Sequence, residues 1–255
     1  MKRIVAILIL VSAAHAAVAE NKYLPVAGVV HGANNTRFRT DVRIFNPSPI
    51  ETIGVSLHFL PMGIDGSNIP GTSVYVGPGE MVVLNDIVGT FFGYEAPAIG
   101  AIRFDSDVAP VSFPFMATSR TYTESPNPAV SGTYGQFIPA LDPENAELRT
   151  IVLHISQSPD LSRGSRTNAG VMNPNRVPVV INPSLARADG TLIAEGAEFI
   201  VPPMSMVQRS VPNMSGTDLP AKSRKAFFTS WHRSRCSHGP LSSTISRAIS
   251  SSSSE

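Results

Sequence analysis

The feature that most constrains this chain is an alternation of apolar and polar side chains with a period of two, cut into short runs by proline and glycine. Val55, Leu57 and Phe59 alternate with Ser56 and His58, and Ile102 and Phe104 with Arg103 and Asp105. Ile151, Leu153 and Ile155 alternate with Val152, His154 and Ser156. Successive side chains of a strand point to opposite faces, so such runs read as half-buried strands. The interruptions are Asn46-Pro47, Asp65-Gly66, Gly77-Pro78-Gly79, Asn127-Pro128, Asn173-Pro174 and Asp189-Gly190. Proline fixes φ and glycine admits positive φ, so these pairs end strands and turn the chain. Strands are expected over 22–30, 37–46, 52–61, 72–77, 79–85, 99–105, 110–117, 134–140, 149–156, 165–172, 177–187, 191–201 and 204–211, with one helical turn at 86–92. No stretch keeps a helical period, so the mature chain is expected to be all-β and sandwich-like.

The turns also mark an internal repeat. Arg39-Thr40-Asp41 is followed by Asn46-Pro47, and Arg166-Thr167-Asn168 by Asn173-Pro174, with the same spacing inside each copy. Downstream, Asp65-Gly66 answers to Asp189-Gly190, and Val76-Gly77-Pro78 to Val201-Pro202-Pro203. Upstream, Tyr23-Leu24-Pro25 resembles Phe137-Ile138-Pro139, a weaker match that needs an insertion in the second copy. This divides the chain into a leader over 1–19, a β-sandwich unit over 20–140, a partial unit over 141–215 and a tail over 216–255. The Asn-Pro pairs are expected to turn the chain at a strand end. Arg39 and Arg166 are expected to bond loop carbonyls or a carboxylate, with ligand contact as the alternative.

The second unit looks incomplete. From about Gly216 the alternation stops, basic residues and serines accumulate, and Trp231 and Cys236 are the only residues of their types. Such a segment is expected to be disordered. It is either a natural tail or the product of translation out of frame after about residue 215. A unit missing its later strands leaves open edges, which invite self-association.

The first 19 residues supply the compartment. Lys2 and Arg3 precede the apolar run Ile4–Ala14, and Ala17-Val18-Ala19 is a small-x-small cleavage site ahead of Glu20. This is the pattern of a secretory signal peptide. The apolar run falls short of the roughly 20 residues of a spanning helix, and no second stretch is long enough. The chain is therefore expected to be secreted or at the cell surface, with the periplasm as the alternative. The leader carries +2 and the tail +4, which leaves a body of −5 within a net charge of +1. An acidic body argues against nucleic acid as a partner. A single cysteine excludes an intramolecular disulfide and a cysteine-rich zinc site.

No reactive constellation stands out. The chain has no G-x-S-x-G, H-E-x-x-H, P-loop or G-x-G-x-x-G pattern. His58 and His154 fall on outward strand positions, where a solvated side chain is expected. Asp105 and Asp107 flank Ser106 in a way that offers oxygens to Ca²⁺, as does the acidic cluster Asp142, Glu144 and Glu147. Neither makes the roughly six to eight ligands that Ca²⁺ takes. Tyr122 and Tyr134 flank a Pro/Ser-rich loop at 124–131 and are candidates for stacking on sugar rings, alongside Arg39 and Arg120. Tyrosines packed at strand ends are the plainer reading.

The segments Phe38–Pro47, Gly77–Gly79, Ser119–Tyr122 and Gly132–Pro139 together resemble a repeat in uncharacterised exported bacterial proteins. The likeness covers residues 22–140 well and 141–213 in part. It implies β-sandwich modules in surface or extracellular proteins, often in tandem, and carries no catalytic residues. The expected function is a non-enzymatic structural or adhesive module without cofactor, meeting a cell-surface glycan, a protein or another copy of itself. A carbohydrate-binding module and an accessory domain of a secreted enzyme are the alternatives.

Overall fold

The computed structural model describes residues 20–32, 36–107, 113–125, 127, 129–156, 165–211, 213, 226–233 and 245–252. The leader, Cys236 and most of 216–255 lie outside the described residues. Unit 1 holds β1 (Asn21–His31), β2 (Arg37–Phe45), β3 (Ile53–Pro61), β4 (Thr72–Val76), β5 (Met81–Leu84), β6 (Ala98–Ser106), β7 (Met116–Glu124) and β8 (Thr133–Pro139), with a single π-type turn at Ile87–Phe91. All pairings are antiparallel. One layer runs β4-β3-β6-β1 and the other β5-β2-β7-β8. The layers are joined at one corner by the short β1–β2 pairing at Val30↔Phe38 and His31↔Arg37, and at the other end of β1 by a bridge between Tyr23 and Leu141, just after β8. That corner lets the alternation do its work: Leu24, Val55, Leu57, Phe59, Ile102 and Phe104 from the first layer share one core with Val42, Ile44 and Ile138 from the second. Each such side chain contributes roughly 1.5–3 kcal/mol by leaving water.

Unit 2 holds β9 (Arg149–Ile155), β10 (Ser165–Asn173), β11 (Val179–Arg187), β12 (Leu192–Glu195), β13 (Phe199–Val201) and β14 (Ser205–Ser210). Two further strands, β15 (Ala226–Arg233) and β16 (Ile245–Ser252), fall in the stretch read from sequence as a tail. β15 runs between β11 and β9, and β16 lies on β10, so both occupy edges that 141–215 alone would leave open. The layers are β12-β11-β15-β9, with β13 also on β11, and β14-β10-β16. Strand for strand this is the order of unit 1. β9 takes the place of β1, β10 of β2, β11 of β3 and β14 of β5. No described strand takes the place of β8. The earlier pairing of Tyr23-Leu24-Pro25 with Phe137-Ile138-Pro139 does not follow this order, because β1 answers to β9 and not to β8.

Two strand boundaries differ from the sequence reading. The run expected at 110–117 is displaced to 116–124. Its inward residues Ser119, Thr121 and Thr123 are polar, which hides the alternation; Ser119 Oγ donates to Ile138 O and Thr121 Oγ1 meets Thr40 Oγ1 at 2.9 Å. The run expected at 191–201 is broken into two strands, with Gly196 N turned back to Pro183 O. With one described strand fewer in its second layer, unit 2 is expected to open first. Limited proteolysis of the full chain should cut within 141–215 before 20–140; the reverse order would show that this difference does not limit stability.

The repeated motif residues are ties between strands. Asn46 is fully buried; its Nδ2 donates to Glu51 O, Val76 O and Gly77 O at 2.7–3.1 Å, and its Oδ1 accepts from Ser48 N. Asn173, equally buried, donates to Val177 O, Val201 O and Pro202 O and accepts from Asn175 N. Thr40 Oγ1 closes a two-way link with Gly28 N and O, and Thr167 Oγ1 closes the same link with Ser156. Buried polar groups persist where their hydrogen bonds are made, and here the same residue types make the same bonds twice.

Unit 2 sits on the outer face of the first layer of unit 1. The β13–β14 turn places Met204, at φ 46, over Tyr23 and Arg103, with its sulfur 4.0 Å from the Tyr23 hydroxyl and from an Arg103 nitrogen. Gly66 N donates to Pro203 O and Gly63 N to Met206 O. A Cβ on Gly66 would lie 2.1 Å from Met204 O, so this glycine answers to the neighbour's backbone. Burial under this turn pushes the Tyr23 phenol up to about 12 from the ordinary 10.0. Beside it, burial pulls the Lys22 ammonium down, but hydrogen bonds to Asp142 and Glu20 outweigh it and hold the group above its usual value. Both groups therefore stabilise the fold fully below about pH 10 and lose that contribution as pH rises through their folded values. For Tyr23 the shift corresponds to about 2–3 kcal/mol. In a phenolate absorbance titration one of the five tyrosines is expected to ionise last, near pH 12. Its loss in Tyr23→Phe would confirm the assignment.

Candidate functional site

The outer face of the second layer of unit 1 gathers three of the four residues singled out for ligand contact. Arg39 and Tyr122 stand directly opposite each other on β2 and β7, and Arg120 lies two residues before Tyr122 on the same face. The guanidinium carbons of Arg39 and Arg120 lie 5.3 and 5.0 Å from the Tyr122 ring centroid, within cation–π range. Arg39 is ion-paired to Glu124, and Arg120 donates to Thr133 Oγ1. On β8 the position opposite Tyr122 is Gly135, where a Cβ would fall 2.5 Å from Tyr122 Cβ. The glycine leaves room for Tyr122 on the sheet. Gly135→Ala is accordingly expected to cost about 1–3 kcal/mol by overpacking, measured as a lowered urea midpoint. A Cβ there would also lie 2.6 Å from Thr121 O, so an unchanged midpoint would mean that the β7–β8 backbones move apart at little cost.

Tyr134 does not join this group. It stands opposite Thr123, one position out of phase with Tyr122, and so belongs to the other face of β8, where it is exposed. Sequence proximity to the same loop could not reveal this, because a one-residue step along a strand reverses the face. The outer face instead offers Phe137, paired with Arg120 and 61% exposed, together with Met81, Val83 and Met116. What results is a ladder of two guanidiniums around one tyrosine, with exposed apolar side chains at its flanks.

Asp105 and Asp107 are each engaged within the protein. Asp105 Oδ2 lies 3.0 Å from His58 Nε2 and 2.9 Å from Arg103 Nε, the latter off the hydrogen-bond axis. Asp107 Oδ1 accepts from Gly54 N at 2.8 Å and so pins the end of β6 to β3. Among the described residues no group of three or more His, Cys, Asp or Glu side chains could hold a metal ion. His58 departs from the solvated side chain expected at its outward position. Only 9% exposed, it bonds Ile69 O through Nδ1, because the loop after β3 folds back over it. The signal was present in that loop: Gly71 lies where a Cβ would meet the His58 ring at 2.6 Å. His154 is part of β9. Among the acidic cluster, Asp142 is held by Lys22 Nζ at 2.5 Å. Among the described residues no helix is long and apolar enough to cross a membrane.

No protein-family model, curated protein or solved structure matches the chain.

Proposed function

We propose that this is an exported, non-enzymatic structural or adhesive protein made of two tandem copies of one sandwich module, of the kind found as repeats in exported bacterial proteins. The observation that carries this reading is the use of the buried polar side chains. Asn46 with Asn173, and Thr40 with Thr167, recur at matched places and are spent on holding strands together. A duplicated module whose polar residues maintain its shape fits a protein whose role is to present surfaces. Export is supported by the leader pattern ahead of Glu20 and by β1 beginning directly after it.

Expression of the full chain in a bacterial host, with fractionation and N-terminal sequencing, tests the location. A mature protein beginning at Glu20 outside the cytoplasm is expected; full-length protein retained in the cytoplasm would overturn the reading. A second reading, a carbohydrate-binding module, is favoured by the Arg39–Tyr122–Arg120 ladder beside the exposed Phe137. A glycan screen decides it. A reproducible signal abolished by Tyr122→Ala selects this reading, and the absence of any signal returns the assignment to the structural module.

A further inference from the structure

We propose that copies of this chain associate head to tail: the face of unit 1 around Phe45, Met81 and Met116 seats on the face of unit 2 around Ile151 and Leu153 in the next copy. The template is the joint inside the chain. There, Met172 and Met206 of unit 2, together with Met204, bury themselves against Tyr23, Leu60 and Ala101 on the first layer of unit 1. Each half of that joint has a counterpart left without a partner among the described residues.

The counterparts follow from register. Met206 stands opposite Met172, one residue before the buried Asn173. Met81 stands opposite Phe45, one residue before the buried Asn46. The turn residue before each pair is also matched, Met204 at φ 46 answering to Gly79 at φ 65. Yet Met206 is buried, whereas Met81 is 54% exposed and Met116 beside it 53%. On the receiving side, Tyr23 lies five residues before Gly28, the partner of Thr40, and Ile151 lies five before Ser156, the partner of Thr167. Both strands carry their register shift at the same place, Leu24/Ala27 and Val152/Ile155. Tyr23 is 2% exposed under unit 2, while Ile151 is 50% and Leu153 63% exposed.

The receiving faces differ in chemistry. Unit 1 offers His58, Arg103 and Asp105 beneath the joint, whereas Ile151 and Leu153 offer apolar surface. The loop that gives Gly63 and Gly66 to the internal joint is reduced in unit 2 to the tight turn 188–191. Contact between copies therefore rests on apolar burial with fewer hydrogen bonds, and is expected to be weaker than the internal joint and dependent on concentration. Two different faces meeting head to tail do not close at a dimer; they build rings or open chains.

The inference rests on the tandem-module reading, and the two fail separately: an exported chain that stays monomeric removes only the association. The test is sedimentation velocity of the mature full chain over a range of concentrations, with Met81→Lys and Ile151→Lys. Both positions are exposed, and circular dichroism confirms that each variant is folded; Leu153→Lys replaces Ile151→Lys if that variant is not. The native chain is expected to grow beyond a dimer with concentration. Each variant alone should be monomeric, since one face of every pairing is charged. An equimolar mixture of the two should form a dimer that grows no further, because each variant retains the face the other lacks. A native chain that stays monomeric, association unaffected by either substitution (as pairing through open strand edges would give), or a mixture that remains monomeric would each overturn the proposal.

Discussion

Asn46→Ala is expected to cost unit 1 about 3–5 kcal/mol, a large part of the stability of an ordinary domain. The amide has no solvent exposure and holds three backbone carbonyls, Glu51 O, Val76 O and Gly77 O, which belong to the β2–β3 connection and the β4–β5 turn. Alanine removes the donor without removing the acceptors. Carbonyls that were satisfied are then left in the interior, each at about 1–3 kcal/mol unless the turn opens to water. Asn46→Asp should be at least as damaging, because it turns a carboxylate toward three carbonyl oxygens while keeping the size of the side chain. Asn173→Ala should behave alike in unit 2, and it also frees Pro202, which belongs to the turn seated on unit 1. Urea unfolding of the three variants checks this. A loss below about 1 kcal/mol in Asn46→Ala, or an Asp variant more stable than the Ala variant, would show that the amide is not the tie.

The residues of these ties could be picked out in the sequence, while what they do could not. The same Arg-Thr to Asn-Pro spacing occurs in β2 and β10, where a hydroxyl and an amide make matching bonds. Which carbonyls they reach depends on a turn some thirty residues away, and no local pattern encodes that. The all-β architecture was legible for a simpler reason: apolar alternation and proline–glycine breaks act locally, strand by strand. It failed at β7, where the inward face carries Ser119, Thr121 and Thr123 and satisfies them internally. The candidate site was half legible. Arg39, Arg120 and Tyr122 share a face through strand register, and Tyr134 is excluded by the same register. The ion pair of Asp105 was not legible, because its partner His58 lies 47 positions earlier in the chain and is brought to it by β3–β6 pairing. The joint between the units left a trace only in Gly66, which reads as a turn glycine until the approach of Met204 O is seen.

That joint gives the second large effect. Met204 is 4% exposed and adopts φ 46, a conformation in which a non-glycine residue bears roughly 1–2 kcal/mol of strain. Its counterpart in unit 1 is Gly79, which adopts φ 65 without that penalty. The strain at 204 is offset by what the side chain does, since it fills the space over Tyr23 and Arg103. Met204→Ala keeps the strained backbone and loses the buried side chain, so about 2–5 kcal/mol of coupling between the units is expected to disappear. Met204→Gly loses the same side chain but relieves the backbone, so it should be the more stable of the two by about 1 kcal/mol. This order reverses the usual preference for alanine over glycine and separates the turn geometry from the lost packing. Two local readouts tie the loss to the joint. The amides of Gly63 and Gly66, which donate to Met206 O and Pro203 O, should lose hydrogen-exchange protection ahead of the core of unit 1. The Tyr23 phenol, raised by its burial, should titrate closer to an ordinary tyrosine in both variants. Unchanged protection at Gly63 and Gly66 together with an unshifted Tyr23 would mean that the units are held together by contacts other than this turn.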